Sequence, residues 1–189
     1  LITSPLAREG KSSTVSNLGI TLAEASRRIV IVDSDLRKPR QTRIFNGGSG
    51  PGLSRFLSSN MEPADIVKPT SVPNLSLITS GPQPANPIEL ITSERMDTLV
   101  AYLKRSFDYV LFDAPPILAV SDALAMGPIA DAIILVIRGG QTPIPALKQA
   151  KQKLDAHKLK CLGIILNGVD LVEQDGYYAK QYYSYSKPE

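Results

Sequence analysis

Four consecutive residues near the start of the chain, Gly10-Lys11-Ser12-Ser13, have the types and the order that bind the phosphates of a nucleotide. A glycine lets the backbone approach a phosphate closely, and the free N–H groups at the start of a helix attract an anion. Lys11 would add a positive charge near the outer phosphates, and the Ser12 hydroxyl could bind Mg²⁺. Such short segments also arise by chance, and Pro5 replaces the first glycine of the usual G-x-x-x-x-G-K-[ST] pattern. The segment alone therefore does not establish a nucleotide site.

Three aspartates, Asp33, Asp35 and Asp113, follow apolar runs that are typical of buried strands. Asp33 and Asp35 are two residues apart, so in an extended chain their side chains point to the same side. In open α/β sheets ligands bind beyond the carboxyl ends of the strands, and Mg²⁺ is usually held by carboxylates plus phosphate oxygens. A single aspartate after a strand more often starts a turn or caps a helix. Together with the Gly-Lys-Ser segment, however, the three aspartates predict an ATP or GTP site in which Ser12, Asp33 and Asp113 bind Mg²⁺.

Apolar runs and helical patterns alternate along the chain, and these elements must position the polar residues. Strands are predicted at 1–3, 29–32, 75–78, 109–112, 132–137 and 162–166. Helices are predicted directly after the Gly-Lys-Ser segment and at 53–58, 64–67, 88–107 with a break near 92–93, 121–129 and 144–157. The strands do not alternate between apolar and polar residues, which indicates a mostly parallel sheet with helices on both faces. The predicted fold class is α/β, a single-domain P-loop fold followed by a flexible C-terminal tail.

The composition argues against several other kinds of protein. The chain has 189 residues with a net charge of +3, and its apolar runs are far shorter than the roughly 20 residues that span a bilayer. Without a dense Lys/Arg run, we expect no nucleic acid as a partner. One cysteine, Cys161, and one histidine, His157, make a Cys/His zinc site or a Ser-His-Asp triad improbable, and a lone cysteine favours a reducing compartment. Because the sequence opens at Leu1 inside a predicted strand, we expect it to be truncated at its N-terminus.

The motifs, taken together, resemble those of the bacterial tyrosine kinases, the cytoplasmic kinases of capsule and exopolysaccharide assembly. The segments that carry this resemblance are the Gly-Lys-Ser loop and residues 29–39, 109–117, 52–57, 79–82, 86–90, 120–123 and 163–169. They are spread over essentially the whole chain. In the loop, Ala7-Arg8 replaces a Pro-Gly that is frequent in the family, and arginine would be strained there if position 8 needs a positive φ. A helix upstream of the loop, which helps subunits of the family to associate, is missing from this sequence.

The resemblance implies a role for each candidate site residue. The phosphates of ATP or ADP would be bound by the loop residues, namely Arg8, Glu9, Gly10, Lys11, Ser12 and Ser13. Mg²⁺ would lie between Ser12, Asp33 and Asp113, and Asn167 would contact the adenine edge. The catalytic residues would be Lys11, Asp33, Asp35 and Arg37, although Arg37 could instead form only a surface salt bridge. Asp35 would accept the proton of the incoming tyrosine, whose hydroxyl, with a pKa of about 10, is otherwise a poor nucleophile.

The end of the chain is rich in tyrosine. Tyr177, Tyr178, Tyr182, Tyr183 and Tyr185 are five of the seven tyrosines in the sequence and lie within nine residues. The cluster could be an apolar interface patch or a disordered tail of accidental composition. With the resemblance, the tyrosines are predicted to be phosphoacceptors, phosphorylated between subunits of a ring-like homo-oligomer. We therefore divide the chain into a kinase domain, 1–174, and a tail, 175–189, and expect unmodified tails to tie subunits together and phosphorylation to release them.

The resemblance also implies partners and a location. It predicts a membrane-embedded activator segment on the same or a separate polypeptide, a cognate phosphotyrosine phosphatase, and a cytoplasmic domain attached to the inner face of the bacterial cell membrane. Two alternatives stay open. A partitioning-type (MinD- or ParA-like) ATPase would carry a second lysine five residues before Lys11, where Leu6 stands. A non-catalytic, nucleotide-gated scaffold for polysaccharide export would not need the intact set of lysine and aspartates.

Overall fold

The computed structural model describes residues 1–47 and 50–169, and in these ranges seven strands form one sheet. The strands are β1 (Ile2–Thr3), β2 (Ile29–Asp33), β3 (Lys68–Pro69), β4 (Leu75–Ile78), β5 (Tyr109–Asp113), β6 (Ile133–Arg138) and β7 (Cys161–Asn167). Their order across the sheet is β3-β4-β2-β5-β1-β6-β7, and every pair is parallel except β3 with β4. The predicted α/β class with a mostly parallel sheet is confirmed.

Eight α-helices lie in the same described ranges. They are α1 (Lys11–Glu24), α2 (Gln41–Ile44), α3 (Gly52–Leu57), α4 (Pro63–Ile66), α5 (Pro87–Ile91), α6 (Glu94–Ser106), α7 (Asp122–Ala125) and α8 (Ile144–Ala156). The break predicted near 92–93 separates α5 from α6. The helix predicted at 121–129 is shorter, because α7 is followed by a 3₁₀ turn at Gly127–Ile129. The sequence patterns did not predict β3 or α2.

The sheet separates two apolar clusters, and successive residues of β2 alternate between them. Val30 and Val32 pack into the cluster that contains residues of α3, α6 and α8. Ile29 and Ile31 pack into the cluster under α1. Because helices cover both faces here, every residue of β2 is buried and the strand reads as an uninterrupted apolar run.

The end strand β7 departs from this pattern. Its residues Leu162, Ile164 and Leu166 are 65%, 51% and 56% exposed, so one apolar face of this strand is not covered by any described residue. Coverage by helices on both faces therefore applies to the centre of the sheet but not to β7.

Two kinds of sequence prediction meet the limits of the described residues. No helix within 1–47 or 50–169 is long and apolar enough to cross a bilayer. The five clustered tyrosines and the domain boundary at 174 lie outside these ranges, so the tail and its role stay predictions.

Candidate active site

The register of the parallel strands brings Asp33, Asp113 and the Gly-Lys-Ser loop to the same end of the sheet. Asp33 at the end of β2 is paired with Asp113 at the end of β5, and Asp113 is also paired with Ile2 of β1. The Ser34 hydroxyl donates to the Asp113 carbonyl at 2.8 Å, which ties the two strand ends together. The loop that follows β1 therefore opens beside both carboxylates, as predicted for parallel strands.

The loop between β1 and α1 has two residues with left-handed backbone. Gly10 has φ 93° and immediately precedes the first residue of α1, Lys11. Arg8 has φ 68°, so the strain expected from an arginine at this position is present. Inside the loop the buried Glu9 carboxylate accepts hydrogen bonds from the Leu6 N–H, at 2.7 Å, and from the Thr142 hydroxyl. The loop is thus shaped from within by Glu9 rather than by the missing Pro-Gly.

Lys11 lies between two aspartates. Its Nζ is 3.0 Å from Oδ2 of Asp35 and 3.0 Å from Oδ1 of Asp113, and 3.3 Å from the Ser12 hydroxyl oxygen. Burial by itself would lower the pKa of Lys11, but the charges and hydrogen bonds of Asp113 and Asp35 outweigh it and raise the pKa. Lys11 is therefore a fixed, protonated cation at the mouth of the loop.

Asp33 is fully buried and only half satisfied. Its Oδ2 accepts the backbone N–H groups of Arg40, at 3.0 Å, and Gln41, at 2.9 Å. Its Oδ1 is buried and has no hydrogen-bond partner among the described residues. Burial, together with the nearby charge of Asp113, raises the pKa of Asp33 to about 7. A buried carboxylate oxygen without a partner is what a divalent cation would satisfy.

The donor set of Ser12, Asp33 and Asp113 fits Mg²⁺ in its chemistry, since all three supply oxygen. In the described ranges no group of three or more His, Cys, Asp or Glu could hold a metal by itself. A cation here would therefore depend on the serine hydroxyl and on ligand phosphate oxygens as well as on the two carboxylates.

Gln41 is a site residue that the sequence analysis missed. Its buried side chain donates from Nε2 to Oδ2 of Asp113, at 2.8 Å, and to the carbonyl of Ser12, at 3.1 Å. Its Oε1 accepts from the Ser16 hydroxyl at 2.8 Å. No motif or periodicity marked this residue, because it lies eight positions after Asp33 in a segment without an apolar pattern.

Asn167, at the end of β7, lies directly against the loop. Its Nδ2 donates to the Glu9 carbonyl at 3.0 Å. A methyl group added at Gly10 would come within 1.9 Å of this Nδ2, so only glycine fits at position 10. Within 1–47 and 50–169, nothing donates to the Oδ1 of Asn167. Thr142, which bonds Glu9, was likewise not predicted.

Arg37 is placed differently from the other predicted catalytic residues. Its Nε and one terminal nitrogen lie 2.8 and 3.1 Å from the two carboxylate oxygens of Asp122, whose side chain is buried. This is the salt bridge considered as the alternative in the sequence analysis. The catalytic role of Arg37 stays a prediction.

A surface pocket of about 450 Å³ is lined by several of the predicted site residues. Its lining includes Lys11, Ser12 and Asp35 together with Arg8, Gly10 and Ser13 of the loop. The lining also includes residues of the segment that follows β2. A phosphorylated ligand would therefore meet the loop and Asp35 in the same pocket.

Comparison with known proteins identifies relatives that match most of this chain. A family model described as an AAA domain matches residues 9–161. Tyrosine-protein kinase YwqD of Bacillus subtilis is 38% identical over 180 residues, which cover 94% of this chain and 76% of the relative. The putative tyrosine-protein kinase CapB of Staphylococcus aureus is 36% identical, with 94% and 78% covered. Tyrosine-protein kinase wzc of Salmonella typhimurium is 33% identical over 94% of this chain, but the match spans only 25% of that longer protein.

Solved structures give the same result. The kinase domain of the Escherichia coli tyrosine kinase ETK superposes with a TM-score of 0.88 at 30% identity, covering 93% of this chain and 69% of that one. The septum site-determining protein MinD of Pyrococcus horikoshii, complexed with Mg-ADP, has a TM-score of 0.75 at 22% identity, covering 95% and 74%. At this identity the similarity to MinD shows a shared fold and nothing more. The loop, the strand-end aspartates and the similarity along most of the chain together show that this protein belongs to the bacterial tyrosine-protein kinases.

Proposed function

We propose that this chain is an autokinase that transfers the γ-phosphoryl group of ATP to its own tyrosine cluster, in trans between subunits. The observation that carries the proposal is the position of Lys11, whose Nζ is 3.0 Å from both Asp35 and Asp113 in the loop pocket. A phosphate-binding cation and a carboxylate are thus adjacent at the place where a phosphoryl group and a hydroxyl would meet. The acceptors would be Tyr177, Tyr178, Tyr182, Tyr183 and Tyr185.

Each residue has a chemical part in this transfer. The N–H groups at the start of α1 and the Lys11 ammonium would bind the phosphates and offset their charge. Ser12, Asp33 and Asp113 would hold Mg²⁺, which neutralises charge on the β- and γ-phosphates. Asp35 would accept the tyrosine proton as the phenolic oxygen forms its bond to phosphorus and ADP leaves. Lys38 donates its backbone N–H to Oδ1 of Asp35 at 2.9 Å, so the proposed base is held in place.

Asn167 would select the base of the nucleotide. One N–H of its Nδ2 is donated to the Glu9 carbonyl, which orients the amide, and Oδ1 accepts no hydrogen bond from a described residue. The amino group of adenine can donate to such an acceptor, whereas the corresponding oxygen of guanine cannot. This arrangement favours ATP over GTP.

The cellular role follows from the family. We infer that phosphorylation of the tail regulates polymerisation and export of a capsule or exopolysaccharide. The chain would act as a cytoplasmic domain at the inner face of the membrane, within a ring-like homo-oligomer. A membrane-embedded activator segment and a phosphotyrosine phosphatase would be its partners. These inferences rest on the resemblance to tyrosine-protein kinases such as CapB and wzc.

A partitioning-type ATPase is the second candidate, because MinD has the same fold. One experiment separates the candidates. The full chain is incubated with Mg·ATP, and phosphotyrosine is mapped by mass spectrometry alongside release of free phosphate. We expect phosphotyrosine within residues 177–185. Free phosphate without phosphotyrosine would favour the ATPase instead. Absence of both products would favour a non-catalytic scaffold.

Two variants sharpen this experiment. Lys11→Met should lose phosphotyrosine, whereas Lys104→Met, which alters an exposed lysine paired with Asp131, should keep it. The Lys11→Met chain is then mixed with an active chain in which the five clustered tyrosines are phenylalanine. Phosphotyrosine in the Lys11→Met chain can arise only by transfer between molecules, so its absence would rule out transfer in trans.

A further inference from the structure

Three exposed, positively charged side chains lie on the segment that follows β2, next to the proposed base, Asp35. Lys38, Arg40 and Arg43, here called the basic rim, all line the pocket that contains Asp35. None of the three forms an ion pair within the described ranges. Asp35, the acidic residue of the pocket lining, is paired with Lys11 at 3.0 Å and not with a residue of the basic rim. The basic rim therefore carries three uncompensated positive charges.

The backbone fixes the basic rim relative to the proposed chemistry. Lys38 donates its N–H to the carboxylate of Asp35, and Arg40 donates its N–H to that of Asp33. Arg43 follows on α2, whose first residue, Gln41, is buried against Asp113. The phosphates of a nucleotide already have donors in the loop and in Lys11. The basic rim is thus available to whatever else approaches Asp35.

The sequence contains a segment of complementary charge next to the proposed acceptors. Residues 170–175 include Asp170, Glu173 and Asp175 and no lysine or arginine, and Tyr177 follows two residues later. In an extended chain each residue spans about 3.3 Å, so these acids precede Tyr177 by roughly 7 to 23 Å. An acceptor tyrosine at Asp35 would therefore bring this acidic stretch across the surface that flanks the pocket.

The sheet order shows why the acidic stretch would come from another molecule. The stretch begins right after Val169, beyond β7, whereas the basic rim follows β2, four strands away in the order β7-β6-β1-β5-β2. Four strand spacings amount to about 19 Å. Fully extended, the chain from Val169 reaches about 3 Å at Asp170, about 13 Å at Glu173 and about 20 Å at Asp175. Only Asp175 could therefore span the four strands within one molecule, whereas a second copy could bring all three acids to the basic rim.

We propose that the basic rim binds the acidic stretch 170–175 of a second copy of this chain and so directs Tyr177 or Tyr178 to Asp35. This proposal rests on the proposed kinase function and adds a determinant of acceptor recognition to it. Charge pairs at an exposed rim act mainly on encounter and orientation of a partner and weaken with salt. The basic rim should accordingly affect the KM for the acceptor chain rather than the KM for ATP.

The test uses two full-length chains. The enzyme carries phenylalanine in place of its five clustered tyrosines, and the acceptor carries Lys11→Met, so all phosphotyrosine reports transfer to the acceptor. We expect Arg40→Gln/Arg43→Gln in the enzyme to raise the KM for the acceptor about 5- to 20-fold, with the KM for ATP unchanged within about twofold. Arg27→Gln/Arg105→Gln, at two exposed arginines that do not line the pocket, is the matched control and should change neither value.

Acceptor variants give an independent readout that does not depend on folding of the rim variant. Asp170→Asn/Glu173→Gln/Asp175→Asn in the acceptor should raise the KM with unaltered enzyme by a similar factor. Combined with the rim variant it should add less than about twofold, because both changes remove the same interaction. The proposal would be overturned if the KM increases of the two variants multiplied when combined, or if the neutral acceptor had an unaltered KM. It would also be overturned if the rim variant lost ATP binding instead. Absence of phosphotyrosine in every arm would instead mean that the proposed kinase function itself is wrong.

Discussion

Lys11 and Asp35, the proposed phosphate-binding cation and the proposed base, form an ion pair of 3.0 Å whose side chains are 11% and 5% exposed. Before a ligand arrives, Asp35 is thus held by an ammonium group that it shares with Asp113. Phosphates that draw the ammonium away would release Asp35 for the tyrosine hydroxyl, so binding of nucleotide before acceptor is the expected order.

Removal of this cation should affect stability as well as activity. Lys11→Met leaves Asp35 and Asp113 without their shared partner, and breaking a buried pair costs about 3 kcal/mol. We expect phosphotyrosine formation to fall by on the order of 10²-fold or more, and the free energy of unfolding to fall in urea titrations. Lys104→Met breaks only an exposed pair and should change stability by less than about 1 kcal/mol. Equal losses in the two variants would contradict the buried pair.

Gln41 is expected to position the proposed Mg²⁺ ligands without touching the substrate. Gln41→Leu keeps the size of the side chain but removes its hydrogen bonds to Asp113, Ser12 and Ser16. Loss of such outer partners typically costs about 10- to 100-fold in metal affinity or activity. The measurement is the Mg²⁺ concentration that gives half-maximal autophosphorylation, with the exposed Gln152→Leu as the control. A change in unfolding midpoint at unchanged Mg²⁺ dependence would show that Gln41 has only a structural role.

Asp33 should make the nucleotide-free protein less stable as pH rises. Its pKa is about 7 in the folded chain against an ordinary value of 3.8, so between these values the folded state holds a proton that the unfolded state has released. Stability is therefore lost progressively from about pH 4 to pH 7, by at most about 4 kcal/mol. In Asp33→Asn this part of the pH dependence should disappear, which urea titrations at pH 5 and pH 8 would detect. Asp155→Asn, whose side chain is 57% exposed, should keep the wild-type dependence.

Replacing Arg8, whose backbone is left-handed, should change stability and ligand binding in opposite directions. Arg8→Gly removes the backbone strain at φ 68° and should raise stability by up to about 1 kcal/mol. It also removes a cation from the loop pocket, so ATP binding should weaken several-fold. Lys158→Gly is a matched control, because Lys158 has φ 55° and lies outside the pocket lining. It should stabilise the protein without changing ATP binding, as measured by thermal unfolding and nucleotide titration.

Asn167 should affect the choice of nucleotide. Asn167→Ala removes the acceptor proposed for the adenine amino group and also the bond to the Glu9 carbonyl. We expect ATP binding to weaken more than GTP binding, by about tenfold, which competition titrations would measure. Asn17→Ala, at an exposed position of α1, should leave the ratio unchanged. Equal weakening of both nucleotides would mean that Asn167 only supports the loop.

The part of the site that could be predicted from the sequence is the part that strand geometry determines. Asp33 and Asp113 end buried apolar runs, and parallel strands bring such ends together. Gln41 and Thr142 could not be predicted, because they lie in short segments whose sequences have no periodic pattern. Arg37 and its partner Asp122 are 85 residues apart in the sequence. Opposite charge alone does not predict that two such residues form a salt bridge.

The fold, like the site, could be predicted from the sequence only in part. The apolar run at 29–32 and the run at 162–166 look alike in sequence, yet the first is buried on both faces and the second has an exposed face. The difference depends on where each strand lies in the sheet order, at the centre or at the end. Hydrophobic pattern predicts that a strand forms but not which neighbours cover it.

The strand order also determines when the loop can form as the chain leaves the ribosome. β1 lies between β5 and β6, so it has no strand partner until β5, about 110 residues later in the chain, has been made. The side chains that bond Glu9 come later still, Thr142 from after β6 and Asn167 from the end of β7. A nascent chain would therefore complete the loop only after β7 emerges, so the kinase could not consume ATP before that point in translation.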